Sequence, residues 1–183
     1  MGHMSTTTTA LLTFEEFERL PDQPGKRELL GGELIELPPA EFDHNRIAHR
    51  IWKRLDTGLA EAHARGEAVE LGEVYHEMGY KFPDDGYVQP DISITHAAQA
   101  VSKYLGGAPA IAIEVVSPSN TAEMMETKVE LYFRYGAREV WRVFPKARHI
   151  VVHIGLTSRT IREDETLTTP LLPGLALTLR EIL

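Results

Sequence analysis

Residues 110–116 read AIAIEVV, an almost unbroken apolar run of strand length. Such a run suits a strand covered on both faces, because a half-solvated strand alternates apolar and polar side chains. A chain built around it needs other elements packed above and below, which predicts an α/β or α+β fold with a central mixed β-sheet flanked by helices. One charge interrupts the run, Glu114. An ionised carboxylate in apolar surroundings is costly unless it is paired or binds a metal. Glu114 therefore either has a partner inside the protein or stands at the exposed end of its strand.

The rest of the chain supplies the flanking elements. Thr13 and Glu16 form a capping-box pattern opening a short helix that Pro21 ends. RELL and ELIEL, separated by Gly31-Gly32, predict a hairpin with Glu28 in its first strand. Asp43 is placed to cap a longer helix, in which Ile47, Ile51, Leu55 and Leu59 recur at helical spacing and Gly66 supplies a stop. Strands follow at VEL, VYHEMGYKF and YVQPDISI, the last holding Asp91, with a PDDG turn at residues 83–86. After SPSN, Asn120 and Glu123 predict a second capped helix running to about Tyr135. EVWRVF and HIVVHI predict a hairpin, followed by a loop and a closing helix near LREIL.

The 183-residue length fits a single domain over 13–183. Residues 1–12 read as an added MGH ahead of a native Met4 and a flexible Ser/Thr-rich N-terminus. The chain lacks a membrane-spanning run and, at its start, the basic-then-apolar pattern of an export signal. Cysteine is absent, which excludes thiolate metal sites and thiol nucleophiles and suits a cytoplasmic location. The net charge of −8 is the wrong sign for gripping nucleic acid non-specifically, although a local basic groove needs only a few well-placed charges.

Two further residues draw attention to Glu114. Asp91 follows Pro90 inside a predicted strand, where the missing N–H suits an edge or irregular position. On the helix after SPSN, Lys128 falls among Met124, Leu131, Tyr132 and Tyr135, whereas Glu123, Glu126, Glu130 and Arg134 gather opposite. Lys128 either snorkels from the edge of that buried face or points inward near the end of the Glu114 strand.

QPD, then the strand IEVVSPSN, then a helix with Lys128 ahead of LYFRYGAREVW resembles the Uma-two family of restriction endonucleases, within the PD-(D/E)xK nuclease superfamily. The likeness runs from about Phe14 to Leu183 and takes in RELLGGEL, the helix near His44 and the terminal LPGLALTLREIL. It implies a restriction-endonuclease-like core with an N-terminal helix and hairpin. It also implies a metal-dependent endonuclease that hydrolyses DNA, with Mg²⁺ or Mn²⁺ held by Asp91, Glu114 and the main-chain carbonyl of Val115. Val116 stands where the superfamily usually has its lysine, and the resemblance implies that this lysine has moved to Lys128. It further assigns Glu28 a place in the catalytic set and His44 a contact to substrate phosphate.

The same residues admit a different class of function, a catalytically silent nuclease-fold module for binding or oligomerisation, which the net charge favours. A two-fold homodimer is expected, because paired sites suit cleavage of both strands of a duplex. Apolar Val129 and Phe133, away from the Lys128 face, offer either an interface or a second core contact. His149 and His153 read as surface residues, Ser117 and Ser119 lack a nucleophile elbow, and Trp52 and Trp141 read as core aromatics.

Overall fold

Thr13 opens the first element by closing the predicted capping box: its hydroxyl accepts from the Glu16 N–H, and the Glu16 carboxylate accepts from the Thr13 N–H. The structure is a computed structural model and describes residues 11–183; the greater part of the expected added and flexible N-terminus, residues 1–10, lies outside the described residues. Helix α1 (Phe14–Glu18) leads to the hairpin of β1 (Lys26–Leu30) and β2 (Glu33–Leu37). Gly31 and Gly32 turn it with φ of 58° and 87°, as a two-residue hairpin turn requires. Helix α2 (Phe42–Ala64) buries Ile47, Ile51, Leu55 and Leu59 along one stripe. Its N-cap is Glu41 rather than the expected Asp43, which lies in the first turn and pairs with Arg46.

Two predicted long strands are each broken in two. VYHEMGYKF divides into the end of β3 (Leu71–His76) and β4 (Tyr80–Phe82), separated by Glu77 at φ 44°. YVQPDISI divides into β5 (Gly86–Val88) and β6 (Ile92–His96), so Asp91 stands just before a strand rather than inside one. Pro90 has no N–H to give a ladder, and the chain crosses from one sheet to the other around it. Short strands β7 (Ala100–Val101) and β8 (Leu105–Gly106) precede β9 (Ile111–Val115). Helix α3 (Ala122–Arg134) is capped by Thr121, whose hydroxyl accepts from Met124 N–H; the expected cap Asn120 instead accepts from Ser117 N–H. Beyond β10 (Glu139–Phe144) and β11 (His149–Ile154), the expected loop is three more strands: β12 (Thr157–Arg162), β13 (Thr166–Thr169) and β14 (Leu172–Thr178). β12 is almost wholly exposed and so carries no apolar alternation to announce it. Helix α4 (Leu179–Ile182) closes the chain.

Among the described residues these elements make a mixed α+β fold with two six-stranded sheets, ordered β2-β1-β5-β4-β8-β7 and β12-β11-β10-β9-β6-β3, and the separate β13-β14 pair. β9 runs parallel to β10 and antiparallel to β6, at the middle of its sheet. Alternation along β9 sends Ile111, Ile113 and Val115 into the core under α2, which also takes in β14 and α4. Ala112 goes the other way, into the core shared by α3 and the first sheet, and Glu114 points to that side too. Val129 and Phe133 pack in this second core, within the chain, which removes the sequence ground for reading them as an interface. No helix among the described residues is long and apolar enough to cross a membrane.

Candidate active site

Lys128 is 1% exposed, too little for a lysine that only snorkels. Nearly two turns into α3, past its exposed first residues Ala122 and Glu123, its ammonium lies 2.9 Å from both carboxylate oxygens of Glu28 and 2.7 Å from Glu114 Oε1. Tyr132, four residues on and thus on the same helical face, donates its hydroxyl to Glu114 Oε1 at 2.6 Å. The hairpin delivers Glu28 from a different sheet. Its Oε1 also accepts from the Gln89 N–H at 2.8 Å, which ties β1 to the chain just before Asp91.

Asp91 stands beside this group. β6 pairs Ile92 with Ile113 on β9, so one further step of the antiparallel register sets Asp91 opposite Glu114. Its Oδ2 accepts from the Val115 N–H at 2.8 Å and lies 3.3 Å from His44 Nε2. Oδ1 is bonded at 2.7 Å by Lys26, whose ammonium also donates to the Gln89 carbonyl. The structure therefore gathers Glu28, His44, Asp91, Glu114 and Lys128, all singled out from the sequence, and meets Val115 through its N–H. It adds Lys26 and Tyr132. Lys26 begins an ordinary-looking strand and only the packing of β1 against β5 brings it to Asp91; Tyr132 was recognisable as sharing the Lys128 face but carried no sign of a polar task.

Electrostatics separates the two central acids. Burial works against the charged form of Asp91, but Lys26 and His44 outweigh it and hold its carboxyl well below the usual range. Burial pushes Glu114 up, and Lys128, which Glu28 shares, does not fully offset it. Nearby carboxylates keep Lys128 and Lys26 protonated against burial. The hydrogen bond to Asp91 raises the pKa of His44. With Glu114 ionised, three carboxylates face two ammonium groups, which leaves a formal charge of −1 that either a His44 proton or an added cation neutralises.

The hard oxygen donors of Asp91 and Glu114 suit a hard divalent cation. Among the described residues no three His, Cys, Asp or Glu side chains converge closely enough to hold an ion alone. Main-chain or substrate oxygens would have to complete its shell. His149 and His153 are engaged elsewhere: the His149 ring stacks on Phe144, and His153 accepts from Arg142.

A cleft of about 220 Å³ opens at Asp91, walled by His44, Asn45, Ala48, His49, His76 and Glu77. Trp141 is a core aromatic, fully buried. Trp52 packs against the edge of the core under α2: it is half-buried, and its indole lies nearly parallel to the exposed rings of His49 and His76. Burial and neighbouring His49 lower the pKa of His76.

Residues 14–180 match the family model Uma2, described as "Putative restriction endonuclease". Among solved structures, the chain is similar to the crystal structure of "a putative nuclease belonging to DUF820" from Anabaena variabilis, with a TM-score of 0.80 and 18% identity. The match covers 93% of this chain and 97% of that one. At such identity the likeness speaks for the fold, which is the restriction-endonuclease-like fold expected. No curated protein matches the chain.

Proposed function

The chain belongs to the Uma2 family of restriction-endonuclease-like proteins, and on that premise we propose that it is a metal-dependent endonuclease acting on DNA phosphodiesters at the Asp91 cleft. The observation that carries this reading is the buried Lys128 ammonium, held between Glu28 and Glu114 on the side of the sheet where Asp91 stands. Fully burying a lysine between two acids is expensive for a protein that needs only a packing residue there.

Asp91 and Glu114, with the Val115 carbonyl, are the residues that would hold Mg²⁺ or Mn²⁺, which when bound supplies neutralising charge at the scissile phosphate and lowers the pKa of the attacking water. Glu28 fixes the Lys128 side chain through both carboxylate oxygens, so the ammonium is preorganised rather than searching. Lys128 orients the water or stabilises the charge growing on the phosphoryl oxygens. His44, at the cleft wall and with a raised pKa, is placed to meet a substrate phosphate as a cation. The test is cleavage of plasmid, linear and single-stranded DNA with Mg²⁺ or Mn²⁺, comparing wild type with Asp91→Ala. Loss of cleavage in the variant supports the reading; equal cleavage by both sinks it. If two copies pair to cut both strands, light scattering gives a dimer at micromolar concentration, and a monomer alone removes that part.

One observation favours a second reading, a silent nuclease-fold module: Lys26 already satisfies Asp91 Oδ1 and lies where an added cation would compete. Calorimetric titration with Mn²⁺ decides between them, since a silent module has no need to bind the ion.

A further inference from the structure

The cluster of His49, Trp52 and His76 takes no part in the chemistry above, yet two of its rings, His49 and His76, line the same cleft, with the Trp52 indole stacked against both. Its three ring centroids lie 5.3–6.0 Å apart with interplanar angles of 11–24°. The indole is held by a hydrogen bond from Trp52 Nε1 to the Val74 carbonyl, and both imidazoles are exposed. Parallel, exposed rings anchored from behind present a ready π-face. A basic stripe adjoins them. At about 100° per residue along α2, Lys53 falls about 40° from His49, with Arg50 about 60° beyond it. Arg46 and Arg54 pair with acids, whereas among the described residues the exposed Arg50 and Lys53 form no ion pair, in a chain of net charge −8.

We propose that this face of α2, with His76, is a track for single-stranded nucleic acid: an unpaired base stacks on the His49, Trp52 and His76 rings while the flanking phosphates lie along Lys53 and Arg50. Stacking on aromatic rings tolerates any base, and the two cations supply contacts that track the backbone. The track rests on the nucleic-acid reading of the site and deepens it, since it selects a substrate with an unpaired base beside Asp91, such as a single strand, a flap or a flipped nucleotide.

The experiment titrates fluorophore-labelled oligo-dT, and an abasic chain of equal length, into the protein in EDTA, so that no turnover occurs, with anisotropy as readout. Wild type should bind oligo-dT about tenfold tighter than the abasic chain, the size expected of one stacked base. His76→Ala should abolish that preference, His76→Phe should keep it, and Lys53→Glu should weaken both probes alike and reduce the salt slope. Absence of binding, equal affinity of wild type for the two probes, or a preference that survives His76→Ala overturns the track. Mn²⁺-dependent cleavage without base preference would leave hydrolysis standing and remove the track. Base preference without cleavage under any divalent ion would do the reverse.

Discussion

Replacing Lys128 with Met keeps an unbranched side chain, one atom shorter, and removes the charge from between two acids that are 0% and 4% exposed, Glu28 and Glu114. Removing one member of a buried pair costs about 3–5 kcal/mol, because the remaining charges stay buried, and this is a large part of a stability of about 5–15 kcal/mol. Two hydrogen bonds soften the loss: the Gln89 N–H still serves Glu28 and the Tyr132 hydroxyl still serves Glu114. Proton uptake softens it further. Burial already raises Glu114 above 4.5, and without Lys128 it rises more. A carboxylate with a raised folded-state pKa binds more protons folded than unfolded, so its cost is absent at low pH and grows as pH climbs from the unfolded pKa through the folded one. Each added pKa unit takes about 1.4 kcal/mol off the penalty at the acid end. Urea unfolding should therefore show Lys128→Met losing about 3–5 kcal/mol near pH 8 and clearly less near pH 5. Glu28→Gln in the same chain should recover part of it, with a coupling of about 0.5–3 kcal/mol. A loss below about 1 kcal/mol at both pH values, or strict additivity with Glu28→Gln, would refute the buried triad as the source of Lys128's placement.

Lys26→Met frees Asp91 Oδ1 and removes a competing charge, so Mn²⁺ affinity should rise about tenfold in calorimetry, a modest share of the attraction between close unit charges; unchanged or weaker binding contradicts the competition. Tyr132→Phe deletes a buried bond to an acid and should cost about 1.5–3 kcal/mol in urea unfolding, a loss that a water-filled gap would erase. His44 is raised above 6.5, so it stabilises the fold below that pH and the contribution fades as pH rises through its folded value. His44→Gln should flatten the fall in stability above about pH 6.5, and parallel curves for variant and wild type would exclude the Asp91 contact as its cause.

Local chemistry in the chain determined more of this protein than its elements' lengths suggest. The AIAIEVV run and its single acid specify a covered strand with a charge that needs a partner, because apolar continuity and the cost of burying a carboxylate are properties of the segment alone. The Gly31-Gly32 hairpin and the Thr13 box are equally local, since turn and cap geometry depend on neighbouring residues. Helical periodicity put Lys128 and Tyr132 on one face. Tertiary structure decided the rest. Two continuous-looking strands became four because pairing partners in two different sheets, and Pro90's missing N–H, fix where a ladder ends. β12 was invisible because an exposed edge strand that buries a single residue, Ile161, bears no alternating pattern. Lys26 joined Asp91 only through the docking of β1 on β5, and the rings of His49, Trp52 and His76 came to stack only when β3 settled beside α2. Such contacts join residues tens of positions apart, and their energy lies in the juxtaposition rather than in either segment, so no window of sequence contains it.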